Sequence, residues 1–270
     1  MLDVSGYRIP PNTKVDLSNH DPDAKDSFVG GKAQGKSALA PMNDRLAELQ
    51  RRLWAEARRG LLVVIQAIDT GGKDSTIRKV FSGVNPQGVR VASFGVPTEI
   101  ELAHDYLWRV HKETPQDGYI KIFNRSHYED VLVVRVKELA SKQTWSRRYR
   151  HIREFERTLT DEGTTIVKLF LHISKDEQRQ RLQDRLDQPD KHWKFNKADL
   201  ADRALWDDYK KAFEDALSET STEYAPWYVV PANRKWYRNL VVSSILIETL
   251  ESMDPQYPAP EEGLDEVVLT

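Results

Sequence analysis

The sequence predicts an α/β fold, a P-loop kinase-like three-layer sandwich on a five-stranded parallel sheet with a helical lid. Two observations carry the sheet. Leu61-Leu-Val-Val-Ile65 is a continuous apolar run, of the kind buried on both faces in parallel sheets. Four further runs follow it, Val89–Phe94, Tyr119–Phe123, Thr165–Ile173 and Trp227–Val230, with helical stretches between them. Alternating strands and helices imply parallel pairing with helices on both faces. The composition permits such a core: 39% of the 270 residues are hydrophobic, with seven Trp and ten Tyr.

Along the chain, residues 1–40 are poor in large apolar side chains and read as an extended arm. Leu46, Leu49, Leu53 and Ala57 recur at helical spacing and predict a helix from about Asn43 to Arg59. Thr98 with Glu101, and Ser174 with Glu177, are capping boxes that open two later helices. Before the last strand lies an excess stretch with Trp193, Trp206, Tyr209 and Phe213, helical from Lys197 onward. It predicts a lid over about 187–220 within a domain spanning 41–254, followed by an irregular tail, 255–270. Charged residues are dense at 30% but sum to −2, which argues against wholesale nucleic-acid binding. The chain has no Cys, which excludes disulfides and thiolate metal sites. It shows neither a long apolar run nor a leader pattern, so a cytoplasmic protein that does not bind membranes is expected.

Two segments compete as a phosphate-binding loop. Gly30 to Ser37 matches G-x-x-x-x-G-K-[ST] letter for letter. The motif also needs a strand before it and a helix after it, so that backbone N–H groups converge on phosphate. Lys25–Val29 is too short and polar for a core strand, and Pro41 is expected to break a following helix. This segment therefore reads as a basic arm, whose Lys32 and Lys36 could touch an anionic substrate. The second, Asp69-Thr-Gly-Gly-Lys-Asp-Ser-Thr76, follows the strand 61–65 and precedes a plausible helix. Gly71 and Gly72 permit a tight turn and close backbone approach, Lys73 reaches between phosphates, and Thr70, Asp74 and Ser75 complete the loop. Ala67 replaces the usual first glycine, and Asp74 replaces the hydroxyl residue that ordinarily holds Mg²⁺. Asp69 is the natural substitute, because Mg²⁺ favours carboxylate oxygens.

Other charged groups fall where ligands bind in open α/β sheets, beyond the carboxyl ends of strands. The third strand ends in Phe123-Asn-Arg-Ser-His-Tyr-Glu-Asp130, placing Asn124, Arg125 and Glu129 there. Arg181 and Arg185 share a helix face and could clamp a phosphoryl group, or could be part of a solvated helix. Lys191-His-Trp-Lys-Phe-Asn-Lys-Ala-Asp199 is a basic, aromatic hinge that suits a closing lid and includes Lys194. The arginines Arg147, Arg148, Arg150, Arg153 and Arg157 fit a polyanion track or an ordinary surface helix equally.

These segments, with Leu205-Trp-Asp-Asp-Tyr209 and Pro226-Trp-Tyr-Val-Val-Pro231, resemble the polyphosphate kinase 2 family over roughly residues 40–250. The resemblance implies phosphate transfer from inorganic polyphosphate to AMP, ADP or other nucleotides, reversibly, with Mg²⁺ or Mn²⁺ and in a homo-oligomer. By position, Asp69 matches the family's metal-binding loop carboxylate and Lys73 its loop lysine. Arg125 and Arg185 match its phosphate-stabilising arginines, and Asp199 its lid carboxylate near nucleotide and metal. Many members carry Asp at Asn124 and Asn at Glu129. The combination here resembles the subgroup, class III, that acts on both mono- and diphosphates. On the residues alone, an ATP-dependent nucleoside or nucleotide kinase and a non-catalytic nucleotide-binding module are the alternatives.

Overall fold

The computed structural model describes residues 1–269. Five strands form the sheet: β1 (Gly60–Gln66), β2 (Val89–Ser93), β3 (Ile120–Asn124), β4 (Thr164–His172) and β5 (Trp227–Pro231). Every pairing is parallel, in the order β2-β3-β1-β4-β5. All seven residues of β1 are buried, as its unbroken apolar run requires. The chain proceeds from β1 to one side as β2 and β3, then to the other as β4 and β5. The carboxyl end of β1 therefore lies where the strand order reverses, the usual ligand position in such sheets.

The longer helices are α1 (Lys32–Glu56), α2 (Lys73–Val80), α3 (Lys142–Asp161), α4 (Lys175–Asp187), α5 (Ala198–Ala204), α6 (Trp206–Thr220) and α7 (Lys235–Met253). α7 packs against α1, α2, β4 and β5 in one layer, and α3 packs against β4 and α6 in the other. No helix among the described residues is long and apolar enough to cross a membrane.

Three boundaries differ from expectation. The first helix begins at Lys32, not Asn43, and Pro41 lies inside it. Pro41 is exposed, so the carbonyl it leaves without a helical partner can reach water. The early turns are held by small residues, which leave no apolar periodicity to read. A Cβ on Gly35 would stand 2.3 Å from the Trp236 ring, so only glycine lets α1 approach α7 this closely. The arm, in turn, packs onto the fold. Val4, Ile9, Val15 and Leu17 are buried, and the Ile9 N–H donates to the Trp227 carbonyl at 2.8 Å, covering the open edge of β5. Finally, the stretch 187–220 divides. Every residue from 188 to 205 is exposed or half-buried, whereas α6 buries Trp206, Tyr209, Phe213 and Leu217 in the core.

A charged pair lies inside the α3 layer. The Lys168 ammonium donates to Glu156 Oε2 at 2.6 Å, to the Thr220 carbonyl at 2.7 Å and to the Tyr128 hydroxyl at 2.9 Å. Both charged side chains are fully buried. Burial pushes the Lys168 amine down. Against the upward push of burial, Lys168 and His127 keep the Glu156 carboxyl below its ordinary value. Removing one member leaves the other charge buried, so Lys168→Met should cost about 3–5 kcal/mol in urea unfolding. The double replacement Lys168→Met with Glu156→Leu should recover much of that loss.

Candidate active site

The loop between β1 and α2 turns on three unusual backbone positions. Thr70 and Gly72 have φ of 65° and 99°. A Cβ on Gly71 would lie 2.4 Å from Ala67 Cβ. Ala67 therefore fills the place of the missing first glycine by packing over Gly71. Lys73 opens α2, and its ammonium folds back to the Ala67 carbonyl at 3.3 Å. Burial, then the neighbouring Arg125 charge, lowers its pKa. The Ser75 and Thr76 hydroxyls donate to the Gly72 carbonyl at 2.9 and 3.0 Å, fixing the start of the helix.

β3 delivers the next groups. Asn124 donates to Asp74 Oδ1 at 2.7 Å, so a residue that departs from the usual phosphate loop is partnered by one that departs from the common family residue. Arg125 has a φ of 62° and donates to Asp69 Oδ1 at 2.8 Å. Glu129 lies behind them, outside the cleft lining. Burial raises its carboxyl pKa, against the opposing pull of Arg125 and Lys73. From α4, Arg185 donates to Asp199 Oδ2 at 3.0 Å and to the Lys194 carbonyl at 2.9 Å, tying the segment 188–205 to the site.

A cleft of about 730 Å³ collects these groups: Asp69 to Ser75, Asn124, Arg125, Arg185, Lys194 and Asp199 all line it. Of the loop, strand-end and lid residues singled out in the sequence, Glu129 alone is absent from this lining, and Lys32, Lys36 and the arginines between 147 and 157 also lie outside it. Arg181, grouped with Arg185 by spacing, has a different task. It is buried, and it donates to the Thr70 carbonyl at 3.0 Å and the Ala232 carbonyl at 2.6 Å. Gln178, which spacing did not reveal, donates to the Asp69 carbonyl at 3.2 Å and accepts from Arg203 of α5 at 3.0 Å. α4 thus grips the loop by its carbonyls at one end and the lid segment by Asp199 at the other. Backbone carbonyls as acceptors leave no trace in sequence.

The donor set suits a hard divalent cation. Burial and then the Asp69 charge raise the Asp199 carboxyl pKa, so the two carboxylates are near enough to repel. Asp69 and Asp199 would hold a divalent cation that relieved that repulsion, and Mg²⁺ is commonly held by one or two carboxylates plus substrate phosphates. Among the described residues no cluster of three or more His, Cys, Asp or Glu side chains is placed to hold a metal.

Strand, glycine turn, lysine and helix in this register, on this sheet, make the protein a P-loop kinase-like α/β protein. More narrowly, the chain belongs to the polyphosphate kinase 2 (PPK2) family, whose model matches residues 30–258. It is 64% identical over 263 residues to the AMP/ADP-polyphosphate phosphotransferase of Meiothermus ruber, covering 97% of this chain and 98% of that one. It is 46% identical over 264 residues to the ADP-polyphosphate phosphotransferase of Rhodopseudomonas palustris, covering 93% and 91%. Its fold superposes on the crystal structure of polyphosphate kinase 2 from Arthrobacter aurescens TC1 with a TM-score of 0.94 at 44% identity, covering 97% of this chain and 93% of that one.

Two outcomes test this geometry. Gln178→Met keeps the length of the side chain and removes both hydrogen bonds. It should lower kcat by about ten- to a hundredfold with KM nearly unchanged, because it loosens the loop rather than removing a binding group. Glu129→Gln tests the raised carboxyl. Such a group costs nothing while protonated, begins to cost stability as pH rises past its unfolded value, and costs in full above its folded value. The variant should therefore melt higher than the native protein near neutral pH, with the gain shrinking on acidification.

Proposed function

We propose that this chain reversibly transfers the terminal phosphate of inorganic polyphosphate to AMP and ADP. The observation that carries the reading is the convergence of Lys73, Arg125 and Arg185 with Asp69 and Asp199 on one cleft, in a member of this family. The names of the two relatives, one AMP/ADP- and one ADP-polyphosphate phosphotransferase, point to the same substrates.

In this mechanism an oxygen of the nucleotide's terminal phosphate attacks the end phosphorus of the polyphosphate chain. A P–O bond forms to the nucleotide, the bridging P–O bond to the next phosphate breaks, and the chain departs one phosphate shorter. The nucleophile is already ionised, so no general base is needed; catalysis is positioning and charge stabilisation. Lys73 lies across the transferring group and the loop N–H groups face it. Arg125 and Arg185 exchange their carboxylate partners for phosphoryl oxygens. Asp69 and Asp199 would hold Mg²⁺, which when bound supplies positive charge to the phosphate oxygens. Lys194 and the segment 188–205 exclude water as the nucleotide seats.

Incubation with polyphosphate as sole phosphate donor, Mg²⁺ and either AMP or ADP should yield ADP or ATP by chromatography. No product with polyphosphate, together with product from an ATP donor, would refute the reading. Lys73→Ala and Asp69→Asn should each lower turnover by about two orders of magnitude or more while melting near the native temperature. Near-native turnover in either would remove it from the proposed centre.

A further inference from the structure

The lining of the active cleft divides by charge. Outside the loop 69–75, its uncharged residues are Asn124 and, at the end of β2, Ser93, Phe94 and Gly95. Phe94 is the single aromatic residue in the lining among the described residues. A polyphosphate chain is anionic along its whole length and is served by charged groups. A nucleotide also carries a base and a sugar without charge, which suit an uncharged, partly apolar wall.

The sheet secures that wall poorly. β2 is an edge strand, paired with β3 alone, and the last bond to the sheet runs from the Phe94 N–H to the Asn124 carbonyl at 3.1 Å. Gly95 and Val96 beyond it are exposed. Among the described residues, 95–97 make a single hydrogen bond, which the Gly95 carbonyl accepts from Arg109 Nη1 at 3.0 Å.

Arg109 lies in the short helix Trp108–His111 and is 8% exposed. Its guanidinium sits 5.6 Å from the centre of the Phe94 ring, which packs edge-on to Phe123 at 4.9 Å. Nη1 also stands 3.7 Å from Glu101 Oε2, the oxygen that accepts the Thr98 N–H at 2.7 Å. One buried arginine thus reaches both ends of the turn 95–98. It does so from outside the cleft: it lines a neighbouring cavity of about 530 Å³ that shares Ser93, Phe94 and Gly95 with the active one. An apolar side chain could fill the same place without burying a charge, but it could not hold the carbonyl.

We infer that Arg109 is a positioning residue for the acceptor nucleotide: by holding the Gly95 carbonyl and the Phe94 ring from behind, it fixes the uncharged wall against which the nucleoside seats. The inference rests on the phosphate transfer proposed above. Gly95 belongs to the same arrangement. Apart from its chain neighbours, no described residue comes within 4 Å of where its Cβ would be, so the space in front of it is left open for a ligand.

Arg109→Met keeps the length of the side chain and removes the donor. KM for ADP should rise about tenfold while KM for polyphosphate stays at its native value, because one substrate's wall has loosened and the other's contacts have not. ADP added without polyphosphate should raise the melting temperature of the native protein more than that of the variant. Native KM for ADP, or an equal rise in both KM values, would make Arg109 purely structural and overturn the inference. Gly95→Ala carries the test if Arg109→Met does not fold. It should melt as the native protein does and raise KM for ADP alone; native KM for ADP there overturns the wall and with it the role of Arg109. Failure of the native protein to make ATP from ADP and polyphosphate would refute the proposed reaction, while the shift induced by ADP would still decide for or against Arg109.

Discussion

The active cleft depends on crowding positive charge around one turn of backbone and giving each charge a partner it can surrender. Arg125 rests on Asp69, Arg185 rests on Asp199, and Lys73 rests on a carbonyl. The carboxylates in these pairs are also the ligands proposed for the divalent cation. On the proposed mechanism, an incoming phosphate that took the arginines would leave the carboxylates available to a metal. The arrangement works only if the loop keeps its shape while its side chains change partners. That is the task of Gln178 and Arg181, which hold carbonyls rather than charged groups and have no reason to let go.

The same rigidity reaches into the core. Arg125 occupies a left-handed backbone conformation that costs a non-glycine residue roughly 1–2 kcal/mol. Its N–H is held by the Ile65 carbonyl at 3.2 Å, and the next residue, Ser126, accepts from Gln66 at 3.1 Å and caps the turn that follows. That turn contains His127 and Tyr128, both bonded to Glu156 of the buried pair with Lys168. The arginine in the cleft is thereby anchored to an ion pair in the middle of the protein. This gives the pair a positioning role that hydrophobic residues of equal volume would not supply.

Much of this was legible in the sequence, and the pattern of what was not has a physical basis. All five strands lie within a residue or two of their predicted runs; burial on both faces explains β1 and β4, whereas β2, at the sheet edge, is mostly exposed. The phosphate loop was distinguishable from its textual rival by the strand before it. The first turns of α1 were missed because small residues, Gly35 above all, make their contact with Trp236. Trp206, Tyr209 and Phe213 show an apolar face in the sequence without showing what it meets, and in the structure it meets the core. Spacing puts Arg181 on one helix face with Arg185 but does not give its partner, since spacing cannot tell phosphate from carbonyl.

The packing of the arm has a consequence for how the protein comes into being. Leu2 bonds to Ser244, Val15 to Ser218 and Leu17 to Glu214, contacts that span some two hundred residues. β1 must likewise wait for β3 and β4 before it has neighbours on either side. During synthesis the earliest segments have no native partners until nearly the whole chain has emerged. Assembly is thus a closing event rather than a progressive one, and such high contact order makes it slow and exposes unpaired strands in the interim. The charged, mostly polar character of residues 1–40 suits that interval, because it lets the waiting chain stay hydrated until α7 arrives to receive it.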